Sequence, residues 1–297
     1  MEKFSKGNTE DKISDSPAVE TTDLDLRTLK DSELLPIEQA KEIISRYGIK
    51  IIFPSDVKRG ERVAKSFLWM DEHAKPPVIP DKEKENCIRG IASEMIMYPE
   101  EFFRSNGINK FYIISSEIQG GFVDTISKRL YLSIENYRSI PLKVREGFTF
   151  HHELLHLLEI ATPQGREFKK TWNLEFPRIS TLKQIIFKIL GKAVGDEFDK
   201  RKEKFWEIPS SEWKKKYLSN YSALNEKEDR AMTAGLLFVS PEYMMNTLAK
   251  NTSEIIKRKL SYAISLYYKL SPKMDAGFWA DYAMGKVDAN YWRTRRY

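Results

Sequence analysis

One short segment constrains the fold of this chain more than any other feature. The stretch REGFTFHHELLHLLEI is apolar on most sides of a predicted helix, yet it carries His152, Glu153 and His156. Burying these polar groups without a partner would cost several kcal/mol, and a bound metal would remove that cost. The fold must therefore bring the remaining ligands of a metal site to this helix.

The spacing within the segment separates the roles of its polar residues. His152 and His156 are four residues apart, so both imidazoles project from one helix face and can bind one metal ion. Glu153 is offset by about 100 degrees, which places its carboxylate beside the metal, where it suits a general base acting on water. His151 is adjacent but points elsewhere. The HExxH pattern is typical of zinc peptidases.

The third ligand of this site is expected to be a carboxylate. The single cysteine, Cys87, excludes a cysteine-built zinc site and an intramolecular disulfide. The remaining histidine, His73, lies in a proline-rich loop and is a weak candidate. Glu159 and Thr162 occupy the places where the three-histidine pattern needs Gly and His.

Two glutamates are candidates for that carboxylate. Glu175 lies 19 residues beyond His156, a spacing that resembles the one in zinc aminopeptidases, but Pro177 follows closely where a helix would have to continue. Glu228 lies in a predicted helix that Asn225 can cap. The residues alone leave both glutamates open.

The same region resembles a known family. Tyr221, Asn225, Glu228 and Ala231, together with FHHELLHLLE, are similar to the gluzincin metallopeptidases related to anthrax lethal factor and the Pro-Pro endopeptidases. In those enzymes a tyrosine stands seven residues before the glutamate ligand, as Tyr221 does here. The segment FKKTWNLEFP is also similar to a connecting segment of this group, so the resemblance covers roughly residues 85–240.

This resemblance implies one Zn²⁺ per chain, with His152, His156 and Glu228 as ligands and Glu153 as the general base. It also implies that Tyr221 donates a hydrogen bond to the oxyanion of the reaction. The family commonly has a second acidic residue four positions after the ligand, where this chain has Met232. Glu159 and Asp229 are then the candidates to support the ligands from behind.

The implied fold class is α+β, a zincin-like metallopeptidase fold with a small mixed or antiparallel sheet, an active-site helix and a mainly helical C-terminal half. A chain of 297 residues with 41% hydrophobic content is long enough for this. The predicted organisation is a disordered tail over 1–30, an α+β subdomain over 31–160 and a helical subdomain over 161–297 that supplies the third ligand.

The spacing of apolar residues and the turn residues predict where the helices and strands lie. A helix closed by Gly48 and the strand IKIIF come first, followed by a connecting loop over 56–81 and a helix with apolar residues at Ile88, Ile91 and Met95. KFYIISSEI, FVDTI and RLYLSIE are predicted to be neighbouring antiparallel strands. Further helices are predicted near 141–160, 181–194, 225–238, 241–270 and 274–285.

The net charge and hydropathy of the chain indicate which partners and which cellular location to expect. The net charge of +6 is spread over a mixed surface, and RTRRY is too short to form a nucleic-acid patch, so no nucleic-acid partner is expected. No stretch reaches the roughly 18 to 20 apolar residues of a membrane span, and the N-terminal residues lack a signal peptide's apolar core. We therefore expect a cytoplasmic protein, with export by a leaderless route left open.

The expected function is a zinc-dependent metallopeptidase acting on a protein or peptide substrate, more as an endopeptidase than as an aminopeptidase. GGFVDTI is the candidate edge for an extended peptide. The alternatives are a catalytically silent zincin-like module that binds a protein or membrane, and an aminopeptidase that uses Glu175. The basic amphipathic segment 181–194 is expected to pack on its own domain; lipid contact and a lid role are the alternatives. The sequence predicts no oligomeric state.

Overall fold

The computed structural model describes residues 35–56, 78–114, 120–137, 144–176, 225–239 and 253–295, together with Leu218 and Ser222. The predicted tail over 1–30, the helix near 181–194, His73 and Tyr221 lie outside these residues. So does most of the predicted loop over 56–81.

The described chain is mixed α and β, mostly helical, with one four-stranded mixed sheet. The helices are α1 (Ile37–Arg46), α2 (Asp81–Met95), α3 (Phe102–Ser105), α4 (Val144–Ala161), α5 (Pro163–Glu175), α6 (Glu226–Val239), α7 (Glu254–Leu270), α8 (Ala276–Ala283) and α9 (Tyr291–Thr294). The strands are β1 (Lys50–Ile52), β2 (Lys110–Ile114), β3 (Gly121–Asp124) and β4 (Arg129–Ser133), and short 3₁₀ turns follow β1 and β4.

The sheet order is β1-β2-β4-β3. Strands β3 and β4 form the predicted antiparallel hairpin, whose tight turn contains Lys128 at φ 52°. The prediction that β2 is an antiparallel neighbour was wrong, because β2 pairs in parallel with both β1 and β4. The hairpin turn fixes the β3–β4 pair but leaves open which of the two strands joins β2. Here β4 does, and β3 is left at the end of the sheet.

Alternate residues of the central strands serve the two faces of the sheet, as the strand period requires. One set packs in the main core beneath the helices: Phe111, Ile113, Leu130 and Leu132. The other set forms a smaller buried cluster on the opposite face: Ile52, Tyr112, Ile114 and Tyr131, with Phe122 packed against it. The first face is the one that positions α4.

Helix α4 lies at the centre of the main core. It packs against α2, α5, α6, β3 and β4, and its apolar residues are almost completely buried, as predicted: Phe150, Leu154, Leu155, Leu157 and Leu158. The main cluster also draws side chains from both sides of the predicted subdomain boundary at residue 160. The polar groups of α4 are therefore fixed on a rigid, buried element.

The helices α1, α4, α6 and α8 end within a few residues of the predicted bounds, whereas α5 was not predicted. α1 is followed by Gly48 at φ 68°, the left-handed conformation expected of a residue that ends a helix. α6 begins beside Asn225, whose Oδ1 accepts a hydrogen bond from the Glu228 backbone N–H at 3.0 Å, so the predicted cap is confirmed. The helix predicted over 241–270 is described only from Glu254 onward.

The C-terminal residues pack against α1 and the end of α2. The Trp292 indole N–H donates to the Ile96 carbonyl at 2.8 Å, and Arg293 contacts Glu42 at 3.1 Å. Arg295 forms an ion pair with Asp275. Two of the arginines in RTRRY therefore take part in ion pairs within the chain. None of the described helices combines the length and the apolar character needed to cross a membrane.

Gly165 sets the close packing of α5 on the end of α4. A Cβ added at this position would lie 2.1 Å from the Leu158 backbone oxygen, and Gly165 N–H already donates to the capping Thr162 hydroxyl at 2.9 Å. Because the colliding atom is backbone, the helices would have to separate. We expect Gly165→Ala to lower the free energy of unfolding by about 1 to 3 kcal/mol, measured by urea denaturation.

Gly277→Ala is the matched control, since Gly277 also lies in the first turn of a helix. The nearest atoms to its added Cβ belong to side chains, Arg295 at 2.9 Å and Asp275 Oδ1 at 3.2 Å, which can shift more readily than backbone. We expect this variant to stay within about 1 kcal/mol of the parent, because alanine also favours the helix. Equal losses in the two variants would contradict the packing role of Gly165.

Candidate metal centre

The site combines one face of α4 with the first turn of α6. His152 Nε2 lies 3.0 Å from Glu228 Oε2, and His156 Nε2 lies 3.6 Å from the same oxygen. The two imidazole rings are nearly perpendicular, at 86°, with their centroids 4.8 Å apart. The structure thus brings Glu228 to a histidine pair whose nearer member, His156, lies 72 residues earlier in the chain.

These three side chains have the donor set and spacing of a metal site. One potential ligand atom from each side chain lies within 4.8 Å of the other two. Within the described part of the chain, these three residues are the ones that form a group able to hold a metal ion. In a tetrahedral zinc site with bonds of about 2.05 Å, neighbouring ligand atoms are about 3.3 Å apart. The distances from Glu228 Oε2 to the two histidine Nε2 atoms, 3.0 and 3.6 Å, lie on either side of that value.

Their burial also fits a cation. Glu228 Oε2 is buried between two imidazoles but, among the described residues, makes no hydrogen bond of acceptable angle. A carboxylate oxygen that faces two imidazole nitrogens without a good hydrogen bond is placed as a metal ligand would be.

The electrostatics of His156 and Glu228 favour the forms of these side chains that can bind a metal. Burial lowers the pKa of His156 to about 4, so its imidazole is neutral at neutral pH, as metal binding requires. Burial raises the pKa of Glu228, but the nearby His152 and His156 rings outweigh it and hold that pKa well below its ordinary value. The pair of neutral histidine and ionised glutamate is the donor set that zinc prefers.

Glu153 lies between the candidate metal group and strand β3 of the sheet. Its side chain is buried, and a Cβ added to Gly121 on β3 would be 3.0 Å from Glu153 Cγ and 2.6 Å from the Tyr131 carbonyl oxygen. Glycine at position 121 is what allows β3 to pass this close to α4. Burial, with the Glu228 charge adding to it, raises the pKa of Glu153 to about 7.

His151 points away from the cluster, as its place on the helix predicts. Its two ring nitrogens lie 2.7 Å from the Tyr98 hydroxyl and 2.7 Å from Glu94 Oε2, and its ring stacks on Phe238. The histidine is completely buried. Its role is to join α4 to α2 and α6 through the core.

Glu175, the other candidate ligand, is placed elsewhere. It is the last residue of α5, its side chain is 38% exposed, and it pairs with Arg258 on α7. The helix ends there, as the nearby Pro177 leads one to expect. Glu175 does not belong to the group formed by His152, His156 and Glu228.

The two carboxylates proposed to support the ligands have other partners. Glu159 binds Arg230 through both oxygens, and Asp229 lies 2.6 Å from Lys259 Nζ. Arg230 and Lys259 were not predicted as part of the site. In the sequence they are ordinary basic residues on helices, and only the structure shows that both are buried.

Comparisons with models of protein families, with curated proteins and with solved structures found no match to this chain. The function must therefore be inferred from the geometry and chemistry of the site.

Proposed function

We propose that this chain is a zinc-dependent metallopeptidase that binds one Zn²⁺ through His152, His156 and Glu228. The observation that carries the proposal is the convergence of two buried histidines and a partly buried glutamate from two helices. Three protein ligands leave one tetrahedral position for water or substrate, the arrangement of catalytic rather than structural zinc sites. Zinc bound there would supply Lewis-acid chemistry, lowering the pKa of water and polarising a carbonyl.

Glu153 is the proposed general base. It follows His152 directly, faces the edge of the sheet and is not one of the three grouped ligands. With a pKa of about 7, its carboxyl group can accept a proton from water and return it to the leaving amine near neutral pH. A nearby divalent cation favours the ionised form, which is the form that accepts the proton.

Strand β3 is the proposed docking edge for an extended peptide. Among the described strands it pairs with β4 alone, and Gly121 brings its backbone against Glu153. A peptide that added to the edge of β3 opposite β4 would run past the general base, with backbone hydrogen bonds providing much of the affinity. An internal segment of a substrate can bind in this way, which favours an endopeptidase.

A zincin-like, gluzincin fold is part of the same proposal. Its support is the small mixed sheet with an end strand beside the HExxH helix, and a third ligand on a second helix packed against the first. By the resemblance stated above, Tyr221 would donate a hydrogen bond to the oxyanion formed at the scissile carbonyl.

The test is zinc content together with peptide cleavage by the purified protein. We expect elemental mass spectrometry to find about one zinc per chain and a peptide library to be cut at internal bonds, as identified by mass spectrometry of the products. Cleavage confined to free N-termini would favour the aminopeptidase alternative. A protein that fails to take up added zinc would overturn the proposal and leave a binding module as the better hypothesis.

A further inference from the structure

Helix α6 carries two buried charged residues directly after the candidate ligand Glu228. Asp229 and Arg230 are 3% and 1% exposed, and they point toward different neighbouring helices. Each forms an ion pair with a residue that is itself buried: Asp229 with Lys259 of α7, and Arg230 with Glu159 of α4. The first turn of α6 is thus held from two sides.

The Arg230 contacts are the more specific of the two. Its guanidinium donates to both oxygens of Glu159, with Nη2 at 3.2 Å from Oε2, and Nη1 donates to Asn173 Oδ1 at 3.0 Å. A two-pronged arginine–carboxylate pair fixes orientation as well as distance. One side chain therefore sets α6 against both α4 and α5.

The Glu159–Arg230 pair lies close to the candidate metal ligands in the chain. Glu159 lies three residues after His156 on α4, and Arg230 lies two residues after Glu228 on α6. The pair therefore connects the two ligand-bearing helices about one turn from the site. A metal centre needs its ligands held to within about 0.5 Å, and rotation or sliding of α6 on α4 would move Glu228 by more than that.

Stability alone does not account for such a pair. Desolvation offsets most of the attraction between two buried charges, and replacing both by apolar residues of similar size is often neutral or stabilising. What the apolar replacement lacks is the fixed relative orientation of the two helices. The pair is accordingly better suited to setting geometry than to holding the fold together.

We propose that Glu159 and Arg230 are positioning residues, which fix Glu228 against His152 and His156 and thereby set the affinity for zinc. This inference rests on the proposed function, since it assigns a role within the same metal centre. It concerns residues that do not touch the metal.

The decisive variant is Glu159→Leu/Arg230→Met, which removes both charges and keeps the volume. We expect its metal-free form to unfold at nearly the temperature of the parent, while its dissociation constant for zinc rises about 10- to 100-fold, the usual effect of losing a group that supports metal ligands. Zinc affinity is measured by competition with a chromogenic chelator. A dissociation constant within about twofold of the parent's would overturn the positioning role.

Two further variants separate geometry from stability. Ile91→Val removes a methyl group from the core on α2 and is expected to lower the unfolding temperature without changing zinc affinity. Arg230→Lys keeps the charge but loses the two-pronged contact, and it decides the question if the double variant does not fold. Zinc affinity equal to the parent's in Arg230→Lys would contradict the proposal.

Zinc binding by the parent is measured first in the same assay. A parent that binds no zinc overturns the proposed function. A parent that binds zinc, with a double variant that binds it equally well, overturns only the positioning role of Glu159 and Arg230.

Discussion

Glu153→Gln is expected to lower peptide hydrolysis by about 10²- to 10⁴-fold while leaving zinc content at the parent's level. Glutamine has the shape of glutamate but cannot accept the proton from water. Its carboxamide also avoids the cost of ionising a buried carboxyl group, whose pKa is raised to about 7. The metal-free variant should therefore be at least as stable as the parent above pH 7.

The measurement pairs steady-state hydrolysis of a library-derived peptide with zinc content and an unfolding curve. Glu175→Gln is the matched control, because Glu175 is partly exposed and pairs with Arg258 rather than with the metal group. We expect that variant to keep its activity. Unchanged hydrolysis in a zinc-loaded Glu153→Gln protein would remove Glu153 from the role of general base.

The α4 half of the site was predictable because it is local. Two histidines four residues apart share a helix face, and the leucines around them identify a buried helix. The hydrogen bond from the Glu228 backbone to Asn225 was predictable for the same reason, since a cap acts within three residues. In each case the relevant distance is fixed by helix geometry alone.

The parts that sequence reasoning missed depend on packing between distant elements. Nothing in the pattern of β2 indicates whether β3 or β4 lies beside it, because both strands carry a short run of apolar residues. Nor does the sequence distinguish Arg230 and Lys259 from solvated helix charges; only the contacts of α6 with α4 and α7 show that both are buried. Long-range pairing decides these features, and the chain carries no local signal for them.

The position of Glu228 depends partly on local sequence signals and partly on long-range packing. The residues narrowed the candidates for a third ligand to Glu175 and Glu228, and the helix end at Glu175 was anticipated from Pro177. The choice between them needed the packing of α6 on α4, which brings Glu228 Oε2 to 3.0 Å from His152 Nε2. The distinction is open to direct experiment.

Glu228→Ala is expected to abolish zinc binding, whereas Glu175→Ala should retain about one zinc per chain. Removing Glu228 leaves two histidines, which do not make a three-ligand site. Glu175→Ala loses only a partly exposed ion pair, worth about 1 kcal/mol or less. His156→Ala should behave like Glu228→Ala. Zinc content after desalting, measured by elemental mass spectrometry, distinguishes the three variants.

Thermal unfolding with and without zinc gives an independent measure of the same site. At a free zinc concentration of about 1,000 times the dissociation constant, binding adds about 4 kcal/mol to the stability of the parent, so its unfolding temperature should rise. That rise should be present in Glu175→Ala and absent in Glu228→Ala, because only the second variant lacks a ligand. The opposite result, zinc lost from Glu175→Ala and kept by Glu228→Ala, would require α5 to move to the site and would make Glu175 the third ligand.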